Sequence, residues 1–342
     1  MRAIRIHKHG GPEVLQIDEL PVPIPSSGQV QIQMQATSLN HMDLWVRAGI
    51  PGIGNLPLTL GCDGAGIVTD IGADVKHLRI GDRVLVYPVM NFLRADTYEE
   101  ENAKLSRNLT LLGEHVDGTH CEYLCLPATH VVKIPEKLTF VEAASFPLTF
   151  ITAWHMLVRK GHIQKGQDVL IIAASSGVGV AAVQIAKHFG ARVIGTSSGA
   201  ERLQKLKVLG ADEVIDHYQE SVSGRVKELT HKKGVELVFE HVGESLWNEC
   251  LKSMAWGGRL VTCGATSGPH VQMDMRHIFI KQQEILGSTM GTIDELLEIC
   301  QLMGSGALRP IVDSEFDYKD VAKAHEYLAK QKPFGKVVLK WQ

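Results

Sequence analysis

The pattern of apolar and polar residues changes near the middle of the chain. Up to about residue 150, short runs alternate between apolar and polar positions, as in Val30–Ala36, and glycine turns separate them. Such alternation predicts strands with one buried face, and their close spacing predicts a small β-rich domain. From Asp168 onward, continuous apolar runs alternate with segments of helical spacing, which predicts buried parallel strands joined by helices.

Six apolar strands with intervening helices predict a doubly wound α/β domain with a six-stranded parallel sheet. The C-terminal residues return to a mixed pattern of two helices and a final strand, and we expect them to pack on the β-rich domain. We therefore predict a β-rich domain at residues 1–150, completed by residues 291–342, and a dinucleotide-binding domain at residues 151–290. The predicted strands of the parallel sheet begin at Asp168, Arg192, Glu213, Val235, Arg259 and Glu284.

A turn of small residues follows the first of these strands. The three glycine positions of the G-x-G-x-x-G motif are Ala174, Ser176 and Gly179. The motif is therefore imperfect, and a strand–helix turn without a ligand is the alternative interpretation. The regular strand–helix alternation favours a dinucleotide site, because the N–H groups and dipole at a helix start suit a pyrophosphate. The residues expected at the phosphates are Ser175, Ser176, Gly177 and Val178.

The end of the second strand indicates which nicotinamide cofactor binds. NAD-binding folds carry an acidic residue there that binds the ribose 2′-hydroxyl, but this strand ends in Thr196, Ser197 and Ser198. Arg202 lies one turn into the next helix. Hydroxyls beside a guanidinium suit a 2′-phosphate, so we predict NADPH, with NADH possible and a solvated Arg202 as the alternative. Later strand ends add the expected cofactor neighbours His241, Val242, Cys263, Gly264, Ala265, Ser288 and Thr289.

Composition and charge narrow the class of partner. A formal net charge of −3 gives no reason to expect nucleic acid or an anionic membrane as partner. No apolar run approaches the roughly 18 residues of a membrane span, and the N-terminus lacks a signal-peptide core. Six scattered cysteines are expected to be free thiols in a cytosolic protein. We therefore expect a soluble, cytoplasmic protein with a small-molecule substrate.

Over nearly its whole length the chain resembles the medium-chain dehydrogenase/reductase superfamily. The resemblance is closest to the zinc-binding-dehydrogenase-like and quinone oxidoreductase groups. It implies a Rossmann domain, a GroES-like β-rich domain, and a homo-oligomer, dimer or tetramer, that pairs through Arg259–Gly264 and Glu284–Ser288. The motifs that carry it are Leu39–Leu44, Gly61–Val68, Gly81–Val84, Ala173–Gly179, Gly257–Val261 and Gly335–Leu339.

The same resemblance shows that the metal ligands of zinc alcohol dehydrogenases are replaced. Their three catalytic-zinc ligands fall on Asn40, Cys62 and Leu148, and leucine cannot bind a metal. A substitute set of His41, Cys62 and Asp63 is unfavourable, because adjacent residues of a strand point to opposite faces. The stretch from residue 88 to 120, where relatives bind a structural zinc, lacks the four cysteines. We expect neither zinc ion.

Without a Lewis acid, the chemistry that remains is hydride transfer to an activated C=C, as in a quinone or an enone. We therefore predict a zinc-independent, NADPH-dependent reductase. An enoyl-thioester reductase and a non-catalytic nicotinamide-binding protein are the alternatives. The resemblance places His41 and Lys336 at the cofactor pyrophosphate and Thr152 beside the nicotinamide. The candidate catalytic-site residues are Asn40 as a hydrogen-bond donor, Trp45 as a pocket wall, and Asp43, Cys62 and Asp63.

Overall fold

The computed structural model describes residues 1–90, 109–331 and 333–341. It divides into two compact units, one formed by Met1–Leu148 with Thr292–Gln342 and the other by Thr149–Gly291. Of the stretch from residue 88 to 120, residues 91–108 lie outside the described part. Among the described residues, no helix is long and apolar enough to cross a membrane. All six cysteines are free thiols, as predicted.

From residue 168 onward, strands and α-helices alternate along the chain. Short 3-10 and π-helical turns are left out of the following order. In chain order, the described elements are β1 (Arg2–Ile6), β2 (Leu15–Glu19), β3 (Gln29–Leu39), α1 (His41–Ala48), β4 (Leu58–Thr59), β5 (Asp63–Ile71), β6 (Arg83–Val86), β7 (Tyr123–Pro127), β8 (Val131–Lys133), α2 (Phe140–Ala144), α3 (Pro147–Trp154), β9 (Asp168–Ile171), α4 (Gly177–His188), β10 (Arg192–Ser197), α5 (Ala200–Leu209), β11 (Glu213–Asp216), α6 (Val222–Leu229), β12 (Val235–Glu240), α7 (Trp247–Ser253), β13 (Met254–Thr262), α8 (Arg276–Lys281), β14 (Glu284–Gly287), α9 (Ile293–Ser305), β15 (Val312–Asp317), α10 (Val321–Gln331) and β16 (Lys336–Lys340).

The first unit is built around the long strand β3. This strand pairs antiparallel with β5, β7 and β16, so the C-terminal strand joins the N-terminal sheet. Val30, Ile32 and Met34 point into one core, as the alternation predicted. The main sheet has the order β15-β16-β3-β5-β6-β8, with β7 on β3, and a three-stranded sheet has the order β2-β1-β4.

The second unit contains the predicted six-stranded sheet. Its order is β11-β10-β9-β12-β13-β14, and every pair is parallel. Leu170, Ile194 and Val238 from three neighbouring strands meet in its core. The strand and helix bounds differ from the prediction around Met254, where α7 is shorter and β13 longer than expected. The reason is a non-local pairing of Met254 with Val235, which extends β13.

Candidate active site

The start of α4 has the geometry of an anion site in the second unit. Ser176 is the N-cap, and its hydroxyl accepts a hydrogen bond from the Gly179 N–H at 3.0 Å. The N–H groups of Gly177 and Val178 lie in the first turn, where a helix offers no internal acceptor. A Cβ on Gly179 would lie 2.6 Å from the backbone of Ala174, so the helix packs directly on the turn. The turn therefore fits the phosphates of a dinucleotide.

Replacing Gly179 by Ala should weaken NADPH binding about tenfold or more, and cost about 1–3 kcal/mol of stability, because the new Cβ overlaps backbone that cannot rotate away. The measurements are cofactor fluorescence titration and urea unfolding. Gly224→Ala is the matched control. Ser221 caps α6 and accepts from the Gly224 N–H in the same way, but there the added Cβ would meet only the Ser221 side chain, at 3.3 Å. Equal NADPH affinity in Gly179→Ala would contradict the assignment.

The hydroxyls predicted at the end of β10 lie together. The Ser197 hydroxyl donates to the Ser175 hydroxyl at 2.8 Å, which joins the strand end to the phosphate turn. Arg202 donates from Nε to the Ser198 carbonyl at 2.8 Å and from Nη2 to the Ser198 hydroxyl at 2.7 Å. Thr196 instead faces inward, where its Oγ1 accepts from the Ala173 N–H at 3.0 Å. The structure thus brings Arg202 to Ser198, and Ser197 to the phosphate turn, while Thr196 does not join them.

Sequence reasoning missed Asp216 at the end of β11. This residue is paired in register with Ser197. Its carboxylate accepts from the backbone N–H groups of Gly199 and Tyr218, both at 3.0 Å. The Gly199 hydrogen bond is the main cause that lowers the pKa of Asp216. Asp216 ends the strand that follows β10 in the chain, and an acidic residue at that strand end was the signal that could have identified it.

Sequence reasoning also missed Glu240, the last residue of β12. Its buried carboxylate accepts from the N–H groups of Val242 and Gly243 at 2.5 and 2.6 Å. The second carboxylate oxygen accepts from the Thr262 hydroxyl at 2.8 Å. Glu240 therefore holds the loops that follow β12 and β13, in which the predicted cofactor neighbours His241, Val242, Cys263, Gly264 and Ala265 lie.

His241 lies against the phosphate turn. Its Nε2 donates to the Ile172 carbonyl at 3.0 Å and lies 3.3 Å from the Ser176 hydroxyl. Burial lowers the pKa of His241 to about 4, so the ring is neutral at pH 7. The Ser288 N–H donates to the Thr262 carbonyl at 2.9 Å. The roles predicted for Ser288, Thr289 and the buried Thr152 remain predictions.

In the first unit, the candidate residues form one buried network around Asp63. The Asp63 Oδ2 accepts from the Asn40 amide at 2.9 Å, the Lys336 ammonium at 3.1 Å and the Ser38 hydroxyl at 3.3 Å. Its Oδ1 accepts from the Leu148 N–H at 2.8 Å. The Asn40 amide, which we expected to reach a substrate oxygen, is therefore directed at Asp63 in this structure.

Lys336, which the resemblance places at the pyrophosphate, belongs to the same buried network. Its ammonium donates to the Asn40 Oδ1 at 2.5 Å and to the Asp63 Oδ2 at 3.1 Å. The side chain is 4% exposed and the Asp63 side chain is fully buried. The structure thus places Lys336, which we predicted at the pyrophosphate, in the same network as Asn40 and Asp63, which we predicted in the catalytic site.

Asp43 holds the start of α1. It forms a capping box with Asn40, in which the Asp43 Oδ2 accepts from the Asn40 N–H at 2.7 Å. The Asp43 Oδ1 accepts from the Gly61 N–H at 3.0 Å, which ties the helix to the segment before β5. Burial raises the pKa of Asp43 to about 6. Its role is therefore to shape the backbone beside the network.

The donor set does not fit a catalytic zinc. The Cys62 thiol donates to the Leu112 carbonyl at 2.7 Å. Burial raises the pKa of this thiol well above its usual value, and the charges of Asp43 and Asp63 raise it further. The Asp63 oxygens already accept four hydrogen bonds, and Leu148 carries no ligand atom.

His41 and Trp45 lie on the exposed side of α1. Their ring centroids are 6.3 Å apart. Trp45 is 37% exposed, so it is a surface side chain of this unit and not part of its core. An exposed indole offers a flat apolar surface, which is consistent with the predicted pocket wall.

Comparison with known proteins agrees with both units. Residues 26–136 match the family model "Alcohol dehydrogenase GroES-like domain", and residues 177–305 match "Zinc-binding dehydrogenase". A quinone oxidoreductase of Pongo abelii is 30% identical over 336 residues, which cover 95% of this chain and 93% of the relative. The chain belongs to the medium-chain dehydrogenase/reductase superfamily, in its quinone oxidoreductase group. The predicted GroES-like and Rossmann folds are thereby confirmed.

Two solved structures bear on the activity of this dehydrogenase/reductase. A structure described as an NAD-dependent alcohol dehydrogenase has a TM-score of 0.95 and 40% identity, and the match covers 100% of both chains. The Escherichia coli quinone oxidoreductase complexed with NADPH has a TM-score of 0.85 and 27% identity, over 99% of this chain and 100% of that one. The present chain is an NAD(P)H-dependent oxidoreductase.

Proposed function

We propose that this enzyme is an NADPH-dependent reductase that transfers a hydride to an activated C=C of a quinone or an α,β-unsaturated carbonyl compound, without a catalytic zinc. The observation that carries the proposal is the cluster of Ser175, Ser197, Ser198 and Arg202 at the end of β10. A guanidinium held on the Ser198 hydroxyl, at the strand end that also carries the Ser197–Ser175 pair, suits a phosphate monoester.

The carboxylate of Asp216, at the neighbouring strand end, bears on the choice of NADPH. The oxygens of Asp216 are occupied by the N–H groups of Gly199 and Tyr218. These hydrogen bonds direct the carboxylate toward the backbone that follows β10 and β11. The positive charge of Arg202 therefore favours a cofactor that carries a 2′-phosphate.

Metal-free reduction is supported by the chemistry of the donors. Zinc alcohol chemistry needs three ligands and an open coordination position. The positions that the family resemblance assigns to these ligands carry an amide, a thiol that donates to a backbone carbonyl, and an alkyl side chain, at Asn40, at Cys62 and near Leu148. An activated C=C needs no metal, because its own carbonyl oxygen receives the charge that the hydride brings. NADPH, when bound, supplies that hydride.

A substrate panel tests the proposal. NADPH oxidation is measured with naphthoquinone, an enal and crotonyl-thioester, and NAD⁺ or NADP⁺ reduction is measured with a simple alcohol, each with and without a chelator. We expect turnover of the quinone or the enal that the chelator leaves unchanged. Activity on the thioester alone would favour the enoyl-thioester alternative. Activity on the alcohol alone, lost with chelator, would refute metal-free reduction.

The cofactor arm of the same experiment uses Arg202→Gln. Removing one charge-assisted contact to a phosphate should raise the Kd for NADPH about tenfold to a hundredfold and leave the Kd for NADH within about twofold. Lys205→Gln, one turn further along α5, is the control and should change neither value. A wild-type enzyme that binds NADH more tightly than NADPH would refute the NADPH assignment.

A second candidate is NAD-dependent alcohol oxidation, which the 40% identity to a structure of that description favours. It predicts NADH as the tighter ligand and an alcohol as the substrate. The two arms above therefore separate it from the leading proposal.

A further inference from the structure

The buried ammonium of Lys336 has fewer acceptors than donors. An ammonium carries three N–H donors. Among the described residues, the Lys336 Nζ meets two acceptors, the Asn40 Oδ1 at 2.5 Å and the Asp63 Oδ2 at 3.1 Å. The side chain is almost fully buried, where an unmade hydrogen bond to a charged group is costly. One N–H of this cation is therefore available for an oxygen atom that residues 1–90, 109–331 and 333–341 do not supply.

The charge of Lys336 acts on the residues around the replaced metal ligands. Burial raises the pKa of Asp43 and of the Cys62 thiol, and the Lys336 ammonium opposes both shifts. Burial lowers the pKa of His120 to about 3, and the same ammonium lowers it further. Lys336 is thus a fixed positive charge close to Asn40 and Cys62, two of the positions at which zinc-dependent relatives would carry a ligand.

The position of the ammonium is fixed by the fold. Lys336 begins β16, which pairs with β3, and Asp63 begins β5 on the other side of β3. Asn40 follows β3 directly and caps α1, whose exposed residues include His41 and Trp45. Three strands of one sheet therefore fix a single cation at the N-terminal end of α1.

We propose that Lys336 is a catalytic residue, whose third N–H binds the carbonyl oxygen of the substrate and stabilises the negative charge that develops there. The assignment rests on the proposed reduction of an activated C=C. An anionic oxygen of the cofactor diphosphate has the same chemistry and is the other source of such a ligand, and the experiment below distinguishes the two.

Reduction of an enone takes place in two steps, hydride transfer to the β-carbon and protonation of the α-carbon. A C–H bond forms at the β-carbon while the C4–H bond of the nicotinamide breaks, so NADPH is oxidised and the enone is reduced. The C=C electron pair forms a new double bond to the carbonyl carbon, and the carbonyl pair moves onto oxygen. Lys336 donates a hydrogen bond to this oxygen and keeps its proton. Water then protonates the α-carbon and gives the saturated ketone.

The test uses the full-length enzyme with Lys336→Met, and with Lys336→Met combined with Asp63→Asn, which removes both charges of the buried ion pair. Loss of one donor to a developing oxyanion costs about 10²–10³-fold in rate. We therefore expect both variants to lose about that factor in kcat/KM for the quinone or enone, with the Kd for NADPH within about twofold of wild type. Lys340→Met is the control on the same strand, because its ammonium pairs with Glu315 at the surface.

A readout without turnover uses 4-nitrophenol, whose anion concentrates charge on one oxygen as an enolate does. Wild-type enzyme should lower the pKa of bound 4-nitrophenol, seen by absorbance, and the double variant should not. If neither variant folds, the wild-type titration decides, and an unshifted pKa overturns the proposal.

The remaining outcomes distinguish a substrate oxygen from a diphosphate oxygen as the ligand of Lys336. A higher Kd for NADPH with unchanged kcat assigns the N–H to the diphosphate and overturns the substrate role. Unchanged kcat/KM in a folded double variant overturns it as well. A wild-type enzyme that shifts 4-nitrophenol but reduces no quinone or enone supports the role of Lys336 and refutes the proposed function.

Discussion

Asp63→Asn should lower the free energy of unfolding by about 3–5 kcal/mol, because removing one partner of a buried ion pair leaves the other charge uncompensated. Asp63 is fully buried and accepts four hydrogen bonds, one of them from the Lys336 ammonium. An asparagine has only one acceptor oxygen, so its NH₂ group would face a donor. Urea unfolding followed by circular dichroism measures the change.

Two further variants show whether the pair is the cause. Asp320→Asn removes an exposed carboxylate that pairs with Lys323, and such pairs contribute about 0–1 kcal/mol. Asp63→Asn combined with Lys336→Met removes both buried charges and should recover part of the loss. If the double variant loses as much unfolding free energy as Asp63→Asn and Lys336→Met lose together, the pairing of the two charges contributes nothing to stability.

The fold could be predicted because its signals are local. Continuous apolar runs such as residues 169–174 indicate burial on both faces of a strand, and the alternation in Val30–Ala36 indicates burial on one face. The bounds near Met254 could not be predicted. They depend on the pairing of Met254 with Val235, which no local pattern encodes.

The site could be predicted as a set of residues but not as a set of contacts. The motif Leu39–Leu44 and the replaced ligands indicate Asn40 and Asp63. The charged partner of Asp63, Lys336, lies 273 residues away in the sequence. Lys336 was therefore assigned to the pyrophosphate by resemblance alone. Glu240 was missed because its partners are mostly backbone N–H groups, which leave no mark in the sequence.

Three histidines with strongly lowered pKa values make the stability of the protein sensitive to acid. Burial lowers the pKa of His120 to about 3, that of His241 to about 4, and that of His325 well below its usual value. Each binds a proton near pH 6.5 in the unfolded chain but not in the folded one, so stability is lost as the pH falls below about 6.5. Asp43 acts in the opposite direction, because its raised pKa of about 6 lets the folded state bind a proton first.

The unfolding free energy should therefore fall by about 3 kcal/mol per pH unit between roughly pH 6 and 4.5, since three histidines at about 1.4 kcal/mol each are offset by one carboxyl. Urea unfolding over this range measures the slope. His120→Asn removes one group that takes up a proton on unfolding, so it should reduce the slope by about 1.4 kcal/mol per pH unit, whatever its effect on stability at pH 7. His270→Asn, at an exposed position, should leave the slope unchanged. A wild-type stability that is constant from pH 6.5 to 4.5 would contradict neutral burial of these histidines, because a ring that stays charged in the folded state takes up no proton on unfolding.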